Sequence, residues 1–566
     1  MNLKAMTGGL KLRAGLWVVL AGLAIMPAHG QWQSTTYVLK SGWNAIYLHG
    51  DASYTDPGSL LSAYPEVLEV WRWNTNPQQG EFISTPLEPT SGSPDWSTWT
   101  RSTNSGTLTG LTGQAAYLVK CSAARDVAIV QRPLPPAVTW VRNGANLLGF
   151  PTRLSGTYPT FSKYFATFPA AIAASDKVYK YTGGELGVTN PAPLFSTNTE
   201  TVDRNTAYWF SSEVVGNFYA PVQITLSLAS GLDFGRNGSV ITARVTNRSS
   251  TAMTLNIAPV VSANAPAGQE AITAPVPITK RSFDSGSAAW TESLIGGSYA
   301  ETIPANSTVE LSFGIDRTAM AGTIGAFHAS LLRFTDSANQ FDILLPATAR
   351  KDSLAGLWVG EAKVTAVTSK AQADAITPTD PKMAFPLRYL VHVADDGSVR
   401  VLSQVFLGTL DAGSHVYGIC TKESGLQGTA KAKAMRIVAT HLPLDLVLGG
   451  ESGSGSFALG GSLSRNIILA YDDPANPFVH QYHPDHDNLD ANGGKLAAGV
   501  ESYNVTRAVK FEFAGVSPGT PGWGSSVIGG TYSETVSGLH KDALKLTGTF
   551  ELQRISELGT ITVNAN

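Results

Sequence analysis

Cysteine is nearly missing from this 566-residue chain: Cys121 and Cys420 are the only two. A disulfide-stapled scaffold is therefore excluded, and stability must come from ordinary apolar cores. The two cysteines fall in segments assigned below to different domains, where cysteines seldom meet. Charge is also scarce: 15% of residues are charged and the formal net charge is −3. Without a concentrated basic surface, nucleic acid is not an expected partner. Long amphipathic helical stretches are few, with candidates at Thr160–Ala174 and Lys370–Ala375. The catalytic fingerprints are missing too: there is no Gly-x-Ser-x-Gly elbow, no phosphate-binding loop and no dinucleotide motif. Gly450–Gly455 is glycine-rich, but no lysine follows it and no strand–loop–helix surrounds it.

One long apolar run is present, at the N-terminus. Lys4, Lys11 and Arg13 precede an apolar stretch from Ala14 to Met26, and Ala28-His29-Gly30 follows it. These are the three parts of a secretory signal, so residues 1–30 are expected to be removed and the mature chain to start at Gln31. The run is shorter than the roughly 20 residues a membrane-spanning helix needs. No membrane span is expected after cleavage. The expected location is outside the cytoplasm: periplasmic, cell-surface or extracellular.

What replaces helices is a succession of short alternating runs punctuated by Gly, Asn, Asp and Pro. That pattern predicts an all-β, multidomain protein, and the length calls for about three to five domains. Within residues 31–220 one pattern is written twice. Ser41-Gly42-Trp43-Asn44-Ala45-Ile46-Tyr47-Leu48, Val70-Trp71-Arg72-Trp73 and Gly113-Gln114-Ala115-Ala116-Tyr117-Leu118-Val119 form the first copy. Asn143-Gly144-Ala145-Asn146-Leu147-Leu148-Gly149-Phe150, Val178-Tyr179-Lys180-Tyr181 and Arg204-Asn205-Thr206-Ala207-Tyr208-Trp209-Phe210 form the second. Matching blocks in one order predict a repeated β module, at 31–131 and 137–220. The proline-rich stretch Arg132–Pro136 is the stiff linker between them. The motifs resemble the Gly-Trp-Asn-Leu-Ile … Gly-x-Ala-Tyr-Trp-Val modules of bacterial secreted and surface proteins. The second copy departs from them with Ala145 in place of tryptophan. The resemblance covers about a third of the chain and implies an extracellular β module, with no catalytic residues to carry over.

Residues 222–351 continue with short strands, among them Val240–Asn247, Val309–Phe313 and a hairpin around Asp336–Asn339. They predict a seven-stranded sandwich. The order Phe-Gly … Val-Thr-Asn … Pro-x-Asn-Ser resembles immunoglobulin-like domains of the abnormal-spindle/HYDIN type, which implies a spacer or adhesive module. Residues 353–566 open with Gly356-Leu357-Trp358-Val359-Gly360 and close on alternating Leu544, Leu546, Phe550 and Leu552. They resemble the C-terminal domain of secreted multidomain bacterial proteins, and a barrel or sandwich is expected.

Two places are candidate sites. Eight of the twelve tryptophans lie between Trp32 and Trp209. Trp43, Trp71, Trp140 and Trp209 sit in apolar strands and read as core. Trp96 and Trp99 sit in the polar stretch Ser93–Trp99, which reads as a loop. There they are either folded back as a local lid, the favoured alternative, or exposed as a stacking platform for carbohydrate. The second place is the His/Asp-rich stretch from Asp472 to Gly494. His480, His483 and His486 have a spacing compatible with transition-metal ligation. Asn488, Asp490 and Asn492 have the oxygen spacing of half a calcium loop, with Asp485 and Asp487 to complete a looser site. Position twelve of an EF-hand would be Gly499, so a full EF-hand is excluded, and Pro484 excludes a metalloprotease helix. Calcium ranks ahead of zinc as a cofactor, and the ordinary alternative is a polar loop held by Asx turns. The expected role is a non-catalytic binding or structural protein with an extracellular protein or polysaccharide as partner. A carbohydrate-binding accessory protein and a metal-dependent hydrolase are the rivals.

Overall fold

Strand residues that alternate between two apolar partners must be buried on both faces, and the first segment is built on that rule. A computed structural model describes residues 32–74, 88–142, 144–173, 177–260, 262–368, 384–403, 406–410, 417–420, 435–437, 451–469, 492, 494, 505–515, 517, 519–538 and 543–560. The first segment carries β1 (Gln33–Leu39), β2 (Gly42–Leu48), β3 (Gly50–Asp51), β4 (Val67–Trp73), β5 (Trp96–Thr100), β6 (Ser105–Gly106), β7 (Ala115–Cys121) and β8 (Arg125–Pro133), with one helical turn, α1 (Pro57–Leu60), after β3. They form a three-stranded sheet, β1-β8-β3, and a five-stranded one, β2-β7-β4-β5-β6. All seven residues of β2 are buried. Ile46 and Leu48 point at Tyr37, Leu39, Val127 and Ile129 of the smaller sheet. Trp43, Ala45 and Tyr47 point the other way, at the second segment. Cys121 is a free, buried thiol in this segment.

The second segment holds β9 (Gly144–Leu148), α2 (Phe161–Tyr164), β10 (Val178–Lys180), β11 (Ala192–Pro193) and β12 (Tyr208–Ser212) in a four-stranded sheet, β11-β10-β12-β9. The helix expected over Thr160–Ala174 is broken. Thr160 caps the single turn α2, and a 3₁₀ turn at Pro169–Ile172 follows, because Pro169 cannot continue an α-helix. The other expected helix, Lys370–Ala375, lies outside the described residues. Asn44 and Asn146, matched in sequence, make matched bonds. Asn44 Oδ1 accepts from Lys40 N (2.9 Å) while its Nδ2 donates to Lys40 O (2.8 Å) and Val119 O. Asn146 does the same with Val141 N (2.7 Å), Val141 O (3.0 Å) and Phe210 O. Gly149 stands where the first segment has Tyr47. A Cβ there would lie 2.3 Å from Tyr47 Cβ, so the glycine admits that ring at the contact between segments.

The sandwich follows with β13 (Val222–Thr225), β14 (Leu232–Asp233), β15 (Val240–Asn247), β16 (Met253–Val260), β17 (Ile278–Asp284), β18 (Ala289–Leu294), β19 (Tyr299–Ile303), β20 (Thr308–Ile315), β21 (Phe327–Asp336) and β22 (Asp342–Arg350). Two five-stranded sheets, β13-β15-β20-β17-β18 and β14-β22-β21-β16-β19, give ten strands where the sequence suggested seven. The core does not break at residue 221. Phe150, Tyr164, Phe218 and Val222 belong to the same cluster as Phe313, Phe334 and Phe341. A polar junction reinforces it: buried Arg204 donates to Thr152 O and Asp342 O, and Asp342 N donates to Pro151 O (2.8 Å).

The C-terminal part carries β23 (Gly356–Val367), β24 (Phe385–Val393), β25 (Val399–Ser403), β26 (Phe406–Leu410), β27 (Tyr417–Cys420), β28 (Met435–Ile437), β29 (Glu451–Gly455), β30 (Ser462–Leu469), β31 (Val505–Phe513), β32 (Val527–Ser537) and β33 (Leu544–Ser556). Eight of them form one antiparallel sheet, β25-β24-β23-β33-β32-β31-β30-β29, and β27-β26-β28 form a small one. The large sheet curls on itself. Val399 and Val401 near one end share a core with Leu463 and Ile467 near the other, and Arg465 Nη2 donates to Val399 O at 3.3 Å. Gly360 and Gly548 permit the curvature: a Cβ on either would lie 2.0 Å from a carbonyl of the neighbouring strand. Arg554 ties this sheet to the sandwich, pairing with Asp352 and donating to Asn237 Oδ1 (2.9 Å).

Candidate functional site

The expected loop around Trp96 and Trp99 is strand β5, paired with β4 through Trp73↔Trp96 and Val70↔Trp99. Residues three apart on a strand point to opposite faces. Trp99 accordingly enters the first segment's own core, at 2% exposure. Trp96, at 5%, joins Trp71, Trp73 and Trp209 across the contact between segments. Ring centroids in that quartet lie 5.2–6.3 Å apart in edge-to-face pairs. Neither Trp96 nor Trp99 offers a free ring face, so the stacking platform is corrected to core. The tryptophans instead lock the two segments together.

That packing leaves a polar groove of about 550 Å³ between the segments. One wall is β1 from Thr36 to Leu39 with Lys40 after it; the other comes from Lys180–Thr182, Glu200–Thr201 and Asp203. The floor is formed where β2 meets the second segment: Tyr47 N donates to Asn205 O (3.0 Å) and Ala207 N to Ala45 O (3.1 Å). Lys180 and Glu200 form an ion pair on the far wall. Burial raises the Asp203 carboxyl above its ordinary value, against the Thr201 hydroxyl that bonds it at 2.8 Å. Burial likewise pushes the Tyr181 phenol up to about 12. The remaining lining is mostly hydroxyl, amide and backbone.

Strand β1 is an edge, and the bonds around it fix which backbone groups face the groove. Its partner residue Ala128 spends its N–H and C=O on the Tyr64 hydroxyl rather than on Thr36. The Thr36↔Ala128 pair is therefore of the non-hydrogen-bonded kind, and Thr36 turns its own N–H and C=O away from β8. Asn205 Nδ2 meets that carbonyl at 3.2 Å. The same parity holds along the strand. Trp32 N donates to Ser262 Oγ and Trp32 O accepts from Ala263 N. Lys40 N and O are both held by Asn44. Between these clamps, neither the N–H nor the C=O of Val38 has a partner among the described residues, and its side chain is 75% exposed.

The metal candidates His480, His483, Asp485, His486, Asp487, Asn488 and Asp490 lie outside the described residues; Asn492 is an exposed turn residue. A polar cluster that sequence reasoning missed lies inside the curled sheet. Arg507 on β31 pairs with Glu534 on β32, both fully buried. Arg507 Nη2 also donates to Tyr389 Oη (3.0 Å), which lies 2.6 Å from Tyr532 Oη, and Tyr532 bonds Glu534. Burial first, and the Glu534 charge second, raise both phenols, so they remain protonated. The signal was Arg507 at an inward position of the alternation Val505, Val509, Phe511 and Phe513, but nothing local brought Glu534 or Tyr389 to it.

No family model matches the chain, and no curated protein matches it. Among solved structures, a crystal structure of a mutant Salmonella alpha-2-macroglobulin overlaps it at 8% identity and a TM-score of 0.14. The overlap covers 93% of this chain and 44% of that one. A likeness at that score carries no argument about fold or function.

Proposed function

We propose that the chain is an exported, non-catalytic binding protein built from two repeated β modules, an immunoglobulin-like sandwich and a curled C-terminal sheet. It acts outside the cytoplasm on a protein or polysaccharide partner. The observation that carries this reading is the groove between the first two segments. Its walls stand on packed strands, its Lys180–Glu200 charges neutralise each other, and its lining is rich in hydrogen-bonding groups. Such a surface orients a polar ligand without needing to transform it. The tripartite N-terminus from Lys4 to Gly30 supports export, and the matched Asn44 and Asn146 networks support duplication of the module. The test is twofold. Expressed with its own N-terminus, the mature protein should be recovered outside the cytoplasm beginning at Gln31. Screened on peptide and glycan arrays, it should give hits that Thr182→Trp abolishes, because Thr182 is an exposed residue on the groove wall. Retention in the cytoplasm, or hits indifferent to that substitution, would refute the reading.

A further inference from the structure

We infer that the groove takes an extended peptide segment of a partner protein, which adds to β1 as a fourth strand of the β1-β8-β3 sheet. The inference rests on the binding reading above and names the class of its ligand. The outward backbone groups of this edge are already hydrogen-bonded on either side of the open stretch, at Trp32 and at Lys40. Ser262 and Ala263 occupy Trp32, and Asn44 occupies both groups of Lys40. Between them the Asn205 amide meets the Thr36 carbonyl, as the N–H of a neighbouring strand would. Within the groove the N–H and C=O of Val38 are open, the doublet an antiparallel partner residue would take up.

The size agrees. A residue within a sheet occupies roughly 160 Å³, given its rise and the spacings between strands and sheets. A 550 Å³ groove therefore has room for at least about three residues of one strand. The stretch of β1 that lines it, from Thr36 to Leu39, has matching length. Main-chain bonds would supply the affinity. Side chains on one face of the peptide would meet the exposed Val38 and Leu154, and those on the other would meet Lys180 and Glu200.

The test starts from a displayed library of random heptapeptides selected on the mature chain, with hits resynthesised and titrated by calorimetry. The key variant is Val38→Pro. It deletes the outward N–H and leaves the β8 pairing through Thr35, Tyr37 and Leu39 in place, and proline is tolerated on edge strands. Its melting temperature should stay within a few degrees of the parent, and the peptides should bind about tenfold more weakly or not at all. Methylating the peptide amides at alternate positions should abolish binding in one phase and spare it in the other. The Val38 amide should exchange rapidly in the free protein and become protected by peptide. Peptides that bind Val38→Pro as well as the parent would overturn the inference. So would glycan hits, blocked by Thr182→Trp, without peptide hits, although the binding reading would then stand. Failure to bind either class at the groove would overturn both.

Discussion

His49 sits where the first segment, the second segment and the sandwich meet, with its Nε2 2.7 Å from Arg204 O. Burial foremost, and the Arg204 charge next, lower its pKa from 6.5 to about 3. The folded protein thus keeps a neutral imidazole where the unfolded chain would protonate it. Between pH 6.5 and about 3 the unfolded state binds more protons, so stability is complete above that window and drains as pH falls through it. The slope from this group is at most about 1.4 kcal/mol per pH unit. His49→Gln should flatten the acid limb of the melting temperature between pH 6.5 and 4. A limb equally steep in the variant would assign the loss to other groups. A lone histidine gave no hint of this, because its neighbour Arg204 is 155 residues away.

The β31–β32 pair shows how a strand's own alternation can carry a charged residue into a core. Val505, Arg507, Val509, Phe511 and Phe513 alternate inward along β31, so Arg507 follows its strand into the core. Its charge is matched by Glu534 and hydrogen-bonded to Tyr389. Removing one partner leaves a buried charge uncompensated. Arg507→Met alone should cost about 3–5 kcal/mol, while Arg507→Met with Glu534→Leu should recover most of it. Denaturant midpoints of the two variants decide the matter; equal losses would mean that packing, not charge, dominates there. Strand β5 is the opposite case. Its Trp-Ser-Thr-Trp-Thr sequence lacks alternation because both of its faces are buried, each by one tryptophan.

At the scale of the molecule, the aromatic quartet and the Arg204 junction pack the first segment, the second segment and the sandwich together, whereas the curled sheet has its own core. Calorimetry should resolve two transitions. Trp209→Ala, which removes a fully buried ring shared by both segments, should lower the first by about 3–5 kcal/mol and leave the second in place. A single transition, or a shift in both, would show that the Arg554 contacts couple the whole chain. Much of the architecture was legible without coordinates. Period-two alternation and turn residues act locally, so they declare strands and the all-β class from neighbours in sequence alone. The tertiary structure decided what depends on distant surfaces meeting. It carried one core through the expected boundary at residue 221 and turned Trp96 and Trp99 inward. It also left Val38 open on an edge clamped by Asn44, Asn205 and Ala263. Those outcomes follow from which faces bury each other, and burial is a property of the assembled chain rather than of any stretch within it.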